Sequence, residues 1–172
     1  MWSHFLPPES IISAMTARYD FGMLMVAGDT QSWGGTLGAG HHLTHERILV
    51  TQGVRVLIVD DQPRARQSLK ALLGTWSIVK TIREAANGKE ALALVEESPP
   101  DLALMDIRMP EMDGLEATRR IKAKWPQVKI IVLSVYAEHE AEALSAGADA
   151  FVCKCEPPEA LLKALEQAIK DK

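Results

Sequence analysis

From Val54 onward the chain predicts an α/β protein built on a doubly wound parallel sheet, and three observations predict it. Five short apolar runs alternate with five stretches of helical periodicity. The runs are close to continuous in apolar residues, as strands buried on both faces must be. Acidic or polar residues stand directly after several of them, where function gathers in such a sheet.

Val54-Arg-Val-Leu-Ile-Val59 is the first strand, β-branched and apolar. Pro63 then stands where a first helical turn tolerates it; Ala65, Leu69, Leu72 and Leu73 follow at helical spacing, and Gly74 closes the helix. Ile78 to Ala85 is a strand whose Lys80, Arg83 and Glu84 suit a sheet edge. Lys89 to Glu97 is a helix with Ala91, Leu92 and Val95 inward, ended by Ser98-Pro-Pro100. Leu102-Ala-Leu-Met105 is a short buried strand, and Leu115 to Lys124 a helix with Leu115, Thr118 and Ile121 on one face. Ile130-Ile-Val-Leu133 follows as a strand, then Glu138 to Ala146 as a short helix with Leu144 as its one large apolar anchor, stopped by Gly147. Ala150-Phe-Val-Cys153 is the fifth strand; Pro158 to Lys170 is the last helix, with Leu161, Leu162, Leu165 and Ile169 facing in. Right-handed crossovers leave few topologies, and a flavodoxin-like order 2-1-3-4-5 places the polar second strand at an edge.

Composition shifts near residue 53. Residues 1–52 hold two of the 19 basic residues, four of the five histidines and a Gly-rich run from Trp33 to Gly40. Two helical turns over Glu9 to Ala17 are expected there and otherwise loose packing or disorder, a trace that a start codon assigned too far upstream would also leave. His41, His42 and His45 lack a second ligand cluster at a convincing spacing, so a polar linker is the simpler reading. The expected organisation is therefore an extension over 1–52 and one domain over 53–172.

At 172 residues and 47% hydrophobic, the chain can bury a full core without disulfides. Cys153 and Cys155 sit one residue apart, where a mutual disulfide would be strained, so a reduced pair in the cytoplasm is expected. A net charge of −4 lacks the basic footprint of a nucleic-acid binder, and direct DNA binding is not expected. The longest N-terminal apolar stretch, Phe21 to Gly28, is too short for a membrane span and lacks the charged start of a secretory signal.

At the carboxyl ends of the expected strands stand Asp60 and Asp61, Asp106, Ser134 and Lys154. Clustered carboxylates repel one another: at ~4 Å and an effective dielectric near 20, each pair costs roughly 4 kcal/mol. An all-oxygen site of this kind suits Mg2+, which keeps part of its water. The stretch Asp60-Asp-Gln-Pro63 offers neither Gly nor Ser/Thr for a nucleotide phosphate, which argues against a flavin nucleotide, and no Walker-type loop is present.

Val59-Asp-Asp61, Leu104-Met-Asp-Ile-Arg-Met-Pro-Glu-Met-Asp-Gly114, Leu133-Ser134 and Ala146-Gly-Ala-Asp-Ala-Phe-Val-Cys-Lys154 closely resemble the receiver domain of two-component response regulators. The resemblance implies that Asp106 is the phosphoacceptor. Asp61, Asp106 and the backbone carbonyl of Arg108 would ligate Mg2+, with Asp60 helping directly or through water. Ser134 and Lys154 would neutralise or hydrogen-bond the phosphoryl oxygens, and Ser134 with Phe151 would form the switch. The implied partners are a sensor histidine kinase or phosphotransfer protein and an unknown output protein, and any homodimer through the face built from the fourth helix, fifth strand and fifth helix is expected to be weak. Such a module catalyses its own phosphorylation and dephosphorylation without being a turnover enzyme.

Pro110 and Gly114 would shape the loop after Asp106, and Asp113 would cap the following helix, with Glu116 in its first turn.

Three departures qualify the resemblance. Cys155 follows Lys154 where many receivers have Pro, so a cis peptide is not expected there. That variant resembles a subfamily that often carries a C-terminal helix-turn-helix, which is not expected within this chain. The stretch from Ser134 to Gly147 is about two residues shorter than usual, which shrinks the fourth helix and weakens its coupling to the site. A phosphorylation-silent scaffold and a Mg2+-dependent phosphatase or mutase are the rival readings. Retention of all five site residues disfavours the first. Arg108, where a second acid or base should stand, disfavours the other.

Overall fold

The computed structural model describes residues 53–170. The extension over 1–52, with the two helical turns expected at Glu9 to Ala17, lies outside the described residues. In chain order the elements are β1 (Val54–Val59), α1 (Pro63–Leu73), β2 (Val79–Ala85), α2 (Gly88–Glu97), β3 (Leu102–Asp106), α3 (Gly114–Lys124) and β4 (Lys129–Ser134). A 3-10 turn (Ala137–His139) leads into α4 (Glu140–Ser145), then β5 (Ala150–Cys153) and α5 (Pro158–Lys170).

The strands form one parallel sheet in the order β2-β1-β3-β4-β5, as the alternation predicts. Successive side chains of β1 point to opposite faces and divide the core in two. Val56 and Ile58 join Leu69, Leu72 and Leu73 of α1 and Leu161, Leu162 and Leu165 of α5. Leu57 and Val59 join Ala91 and Val95 of α2, Ala117 and Ile121 of α3, and Ala143 of α4. β2, at the edge, leaves Lys80 and Thr81 exposed.

The helix starts are set locally. Asn87 accepts from the Glu90 amide at 2.9 Å while the Glu90 carboxylate accepts from the Ala86 amide at 2.7 Å, a reciprocal cap. Asp113 caps α3, as expected, accepting from the Glu116 amide at 2.8 Å. Gly114 is required by close approach: a Cβ there would lie 1.9 Å from the Asp106 carbonyl oxygen. The glycine thus lets α3 begin directly against the strand end that carries Asp106.

The fourth helix differs from expectation. Its first turn is 3-10, and Ala143, not Leu144, faces the core; Leu144 is 47% exposed. Each helical residue turns the direction by about 100°. Ala143 and Ala146, three apart, share the inward stripe, and Leu144 falls outside it.

Candidate functional site

Three of the expected residues meet at the carboxyl ends of β1, β3 and β5. Asp60 follows β1 and is 1% exposed; Asp106 ends β3 and is 9% exposed. The Lys154 ammonium, just past β5, donates to Asp60 Oδ2 at 2.7 Å and also to Asp106 Oδ1. The second oxygens are held by the chain itself. Asp60 Oδ1 accepts from the Gln62 amide at 2.8 Å, and Asp106 Oδ2 from the Arg108 amide at 2.9 Å. Those contacts orient both carboxylates toward the lysine.

Burial raises the Asp106 carboxyl above its ordinary pKa, and the Asp60 charge adds to the rise; the Lys154 ammonium and the Arg108 amide oppose it without cancelling it. On Lys154, burial pulls downward, but the charges and hydrogen bonds of Asp106 and Asp60 outweigh it, and its pKa lies above the usual lysine value. Lys154 is therefore a fixed cation facing two buried anions.

Ser134 ends β4 and is 3% exposed. Its carbonyl accepts from the Lys154 amide at 2.6 Å, which ties the two strand ends together. Its hydroxyl accepts from the Tyr136 amide at 3.1 Å and shares a hydrogen bond with His139 Nδ1 at 3.0 Å. Phe151 is half-buried on β5 opposite Val132 and packs on the α3 side of the core. Asp61 is exposed, and among the described residues no group of three or more His, Cys, Asp or Glu stands close enough to hold a metal ion.

Sequence reasoning missed the cover over this site. The Arg108 guanidinium lies 4.1 Å from the centre of the Tyr136 ring, and Tyr136 meets the His139 ring edge-on at 5.5 Å. No spacing rule flags residues two and five past a strand end; only the 3-10 turn brings them back over Ser134. Cys153 and Cys155 are joined in a disulfide, not held as a reduced pair. In an extended strand such residues stand roughly 6.6 Å apart. Here the chain turns after β5, with the Glu156 amide donating to the Cys153 carbonyl at 2.9 Å, and the Cα atoms close to 5.1 Å, within disulfide reach.

The fold is a doubly wound parallel sheet with a buried Asp–Lys–Asp cluster at the carboxyl ends of its strands. The family model for the response regulator receiver domain matches residues 56–166, and the chain belongs to that family. Among curated relatives, the transcriptional regulatory protein YhcZ of Bacillus subtilis is 42% identical over 112 residues, covering 64% of this chain and 52% of that protein. The response regulator protein VraR of Staphylococcus aureus is 42% identical over 103 residues, 59% of this chain and 49% of that protein. The chain thus spans about half the length of the curated relatives it matches. Among solved structures, the response regulator protein TrrA from Thermotoga maritima in complex with Mg(2+)-BeF is 34% identical, with a TM-score of 0.62 over 67% of this chain and 98% of that one. A two-component response regulator of the LuxR family from Aurantimonas is 30% identical, with a TM-score of 0.66 over 70% of this chain and 87% of that one.

No helix among the described residues is long and apolar enough to cross a membrane. Receiver domains are signalling modules, and this chain contains one.

Proposed function

We propose that Asp106 accepts a phosphoryl group from the phosphohistidine of a sensor histidine kinase or phosphotransfer protein, and that the resulting charge switches an interaction face. The observation that carries this reading is the Lys154 ammonium held between Asp60 and Asp106. An Asp106 oxygen attacks phosphorus in line, the P–N bond breaks, and the imidazole leaves with its electron pair. Lys154, whose ammonium reaches Asp106 Oδ1, would balance charge on the phosphoryl oxygens. Ser134, one strand over, donates its hydroxyl once it is released from His139 and the Tyr136 amide.

The donors suit a hard divalent cation: they are all oxygen, and two buried carboxyl groups meet on a single ammonium. Asp61, Asp106 and the Arg108 carbonyl would hold Mg2+, with Asp60 supporting. When bound, the ion supplies charge neutralisation at the phosphoryl oxygens. Phe151 would follow Ser134 as the switch aromatic.

The name of YhcZ describes a transcriptional regulator, and similar structures include a DNA-binding response regulator of the LuxR family from Staphylococcus aureus. For this chain we place the phosphorylation chemistry in the domain from residue 53.

Acetyl phosphate with Mg2+ should add one phosphoryl group, and Asp106→Asn should abolish the addition, both read by intact-mass spectrometry. Equal labelling of wild type and variant overturns the assignment.

A further inference from the structure

Cys153 and Cys155 take no part in the chemistry above, yet they bracket its lysine. Cys153 is 4% exposed at the end of β5, paired in register with Ser134, while Cys155 is an exposed residue in the turn beyond. Between them stands Lys154, whose ammonium reaches both buried carboxylates. The turn is tied at several points: the Lys154 amide to the Ser134 carbonyl at 2.6 Å, the Glu156 amide to the Cys153 carbonyl at 2.9 Å, and the Cys153 amide to the Glu156 carboxylate at 3.1 Å. The disulfide adds a covalent ring of three residues with Lys154 at its middle. Closing that ring removes backbone freedom from the residue whose side chain must reach about the same point each time.

We propose that Cys153–Cys155 is a reversible thiol–disulfide switch that sets the position of the Lys154 ammonium against Asp60 and Asp106, and through it the rate at which Asp106 accepts phosphoryl. The effect on rate rests on the phosphoacceptor reading above; the effect on Lys154 does not. A dithiol reductant opens the ring. One of its thiolates attacks the sulfur of exposed Cys155, the S–S bond breaks, and the Cys153 sulfur leaves as a thiolate and takes up a proton. The reductant's second thiol then displaces Cys155 as a thiol, and the reductant departs as its own disulfide. Two electrons and two protons have passed to the protein. A small-molecule disulfide of the oxidised-glutathione type runs the exchange backwards. Exposure of one member makes this pair accessible to such reagents.

The experiment uses the full chain, oxidised with glutathione disulfide or reduced with dithiothreitol, the reagents then removed. Thiols are counted by alkylation and intact mass: none is expected after oxidation and two after reduction. Lys154 is probed by brief acetylation with acetic anhydride and peptide mass, and Asp106 by its initial labelling rate with acetyl phosphate and Mg2+. In the reduced form Lys154 should acetylate faster, and labelling should be about 3- to 10-fold slower, the loss expected when a charge-stabilising group is less well positioned. Cys155→Ser, a change at an exposed turn position, should behave as the reduced form and ignore both reagents.

Thiols that stay alkylatable after oxidation, or identical Lys154 acetylation in both forms, would overturn the switch. Redox-dependent acetylation with no labelling of either form would uphold the switch and overturn the phosphoacceptor reading. Redox-dependent acetylation with equal labelling rates would overturn the proposed link from Lys154 to phosphoryl transfer.

Discussion

α4 and α5 flank the same strand, β5, and are held to the sheet in opposite ways. α5 runs 13 residues and buries Leu161, Leu162, Leu165 and Ala168. α4 runs six residues after a single 3-10 turn, buries Ala143, and leaves Leu144 47% exposed. A buried leucine is worth about 1.5–3 kcal/mol, whereas an alanine brings only a small fraction of that. α5 is therefore anchored by apolar area. The α4 segment leans on polar ties: Asp149, in the connection to β5, accepts from the Ile130 amide at 2.8 Å and pairs with Lys122 at 2.7 Å and Lys129 at 3.3 Å. The lightly anchored segment is also the one whose His139 holds the Ser134 hydroxyl. Regions that must rearrange are drawn from the low-stability end of a fold, and the difference between these helices places that end beside the site.

The largest test of this contrast is core truncation. Leu161→Ala should cost about 2–5 kcal/mol in urea unfolding, while Leu144→Ala should fall within about 0.5 kcal/mol of wild type. Native-state amide exchange on the wild type should agree, with α5 exchanging by near-global unfolding and α4 through local opening. Comparable losses from the two substitutions would remove the distinction.

Acid should act on the polar ties and spare the apolar ones. For Asp149, burial pushes the carboxyl pKa up, but the hydrogen bonds and charges of Lys122, the Ile130 amide and Lys129 outweigh it, and the net shift is downward. A carboxyl whose pKa is lower folded than unfolded adds stability that is present above the unfolded value and lost as pH falls through the folded one. Asp149→Asn should thus lower the Tm at neutral pH, and the gap to wild type should close as pH drops below the ordinary carboxylate range. A gap that stays constant with pH would show that the amide-capping role of Asp149, not its charge, holds the α4 connection.

The smallest expected effect is at His139. Its removal frees the Ser134 hydroxyl of one hydrogen bond, worth about 0.5–1.5 kcal/mol net. On the phosphoacceptor reading, His139→Ala should speed labelling by acetyl phosphate by about 2- to 10-fold, the same interval expressed as a rate. His139→Asn, whose side-chain oxygen stands in for Nδ1, should restore the wild-type rate. Slower labelling in His139→Ala would mean that the imidazole assists Ser134 rather than restraining it.

Much of the fold was legible in the residues. β5 and α5 begin and end where the apolar pattern places them, and the charges on β2 mark it as the edge. Of the site, Asp60, Asp106 and Lys154 do converge, because each stands at the carboxyl end of a strand in one parallel sheet. Ser134 stands in the same row, with its hydroxyl turned to partners that spacing could not reveal. The inward side of α4 is not legible from residue size: Leu144 is the larger residue, but the inward stripe runs through Ala143 and Ala146 and Leu144 falls outside it.

By itself the sequence determined the order of elements, the strand order and the gathering of acids at one edge of the sheet. Each follows from local causes: hydrophobic period, the burial of parallel strands and the right hand of the crossovers. Only the tertiary structure decided that Lys154 lies between two carboxylates 94 and 48 positions away, that His139 takes the Ser134 hydroxyl, and that Cys153 closes on Cys155. Those contacts depend on ångström-scale reach across turns and strand ends, where one residue of rotation changes the partner and no periodic pattern records the direction.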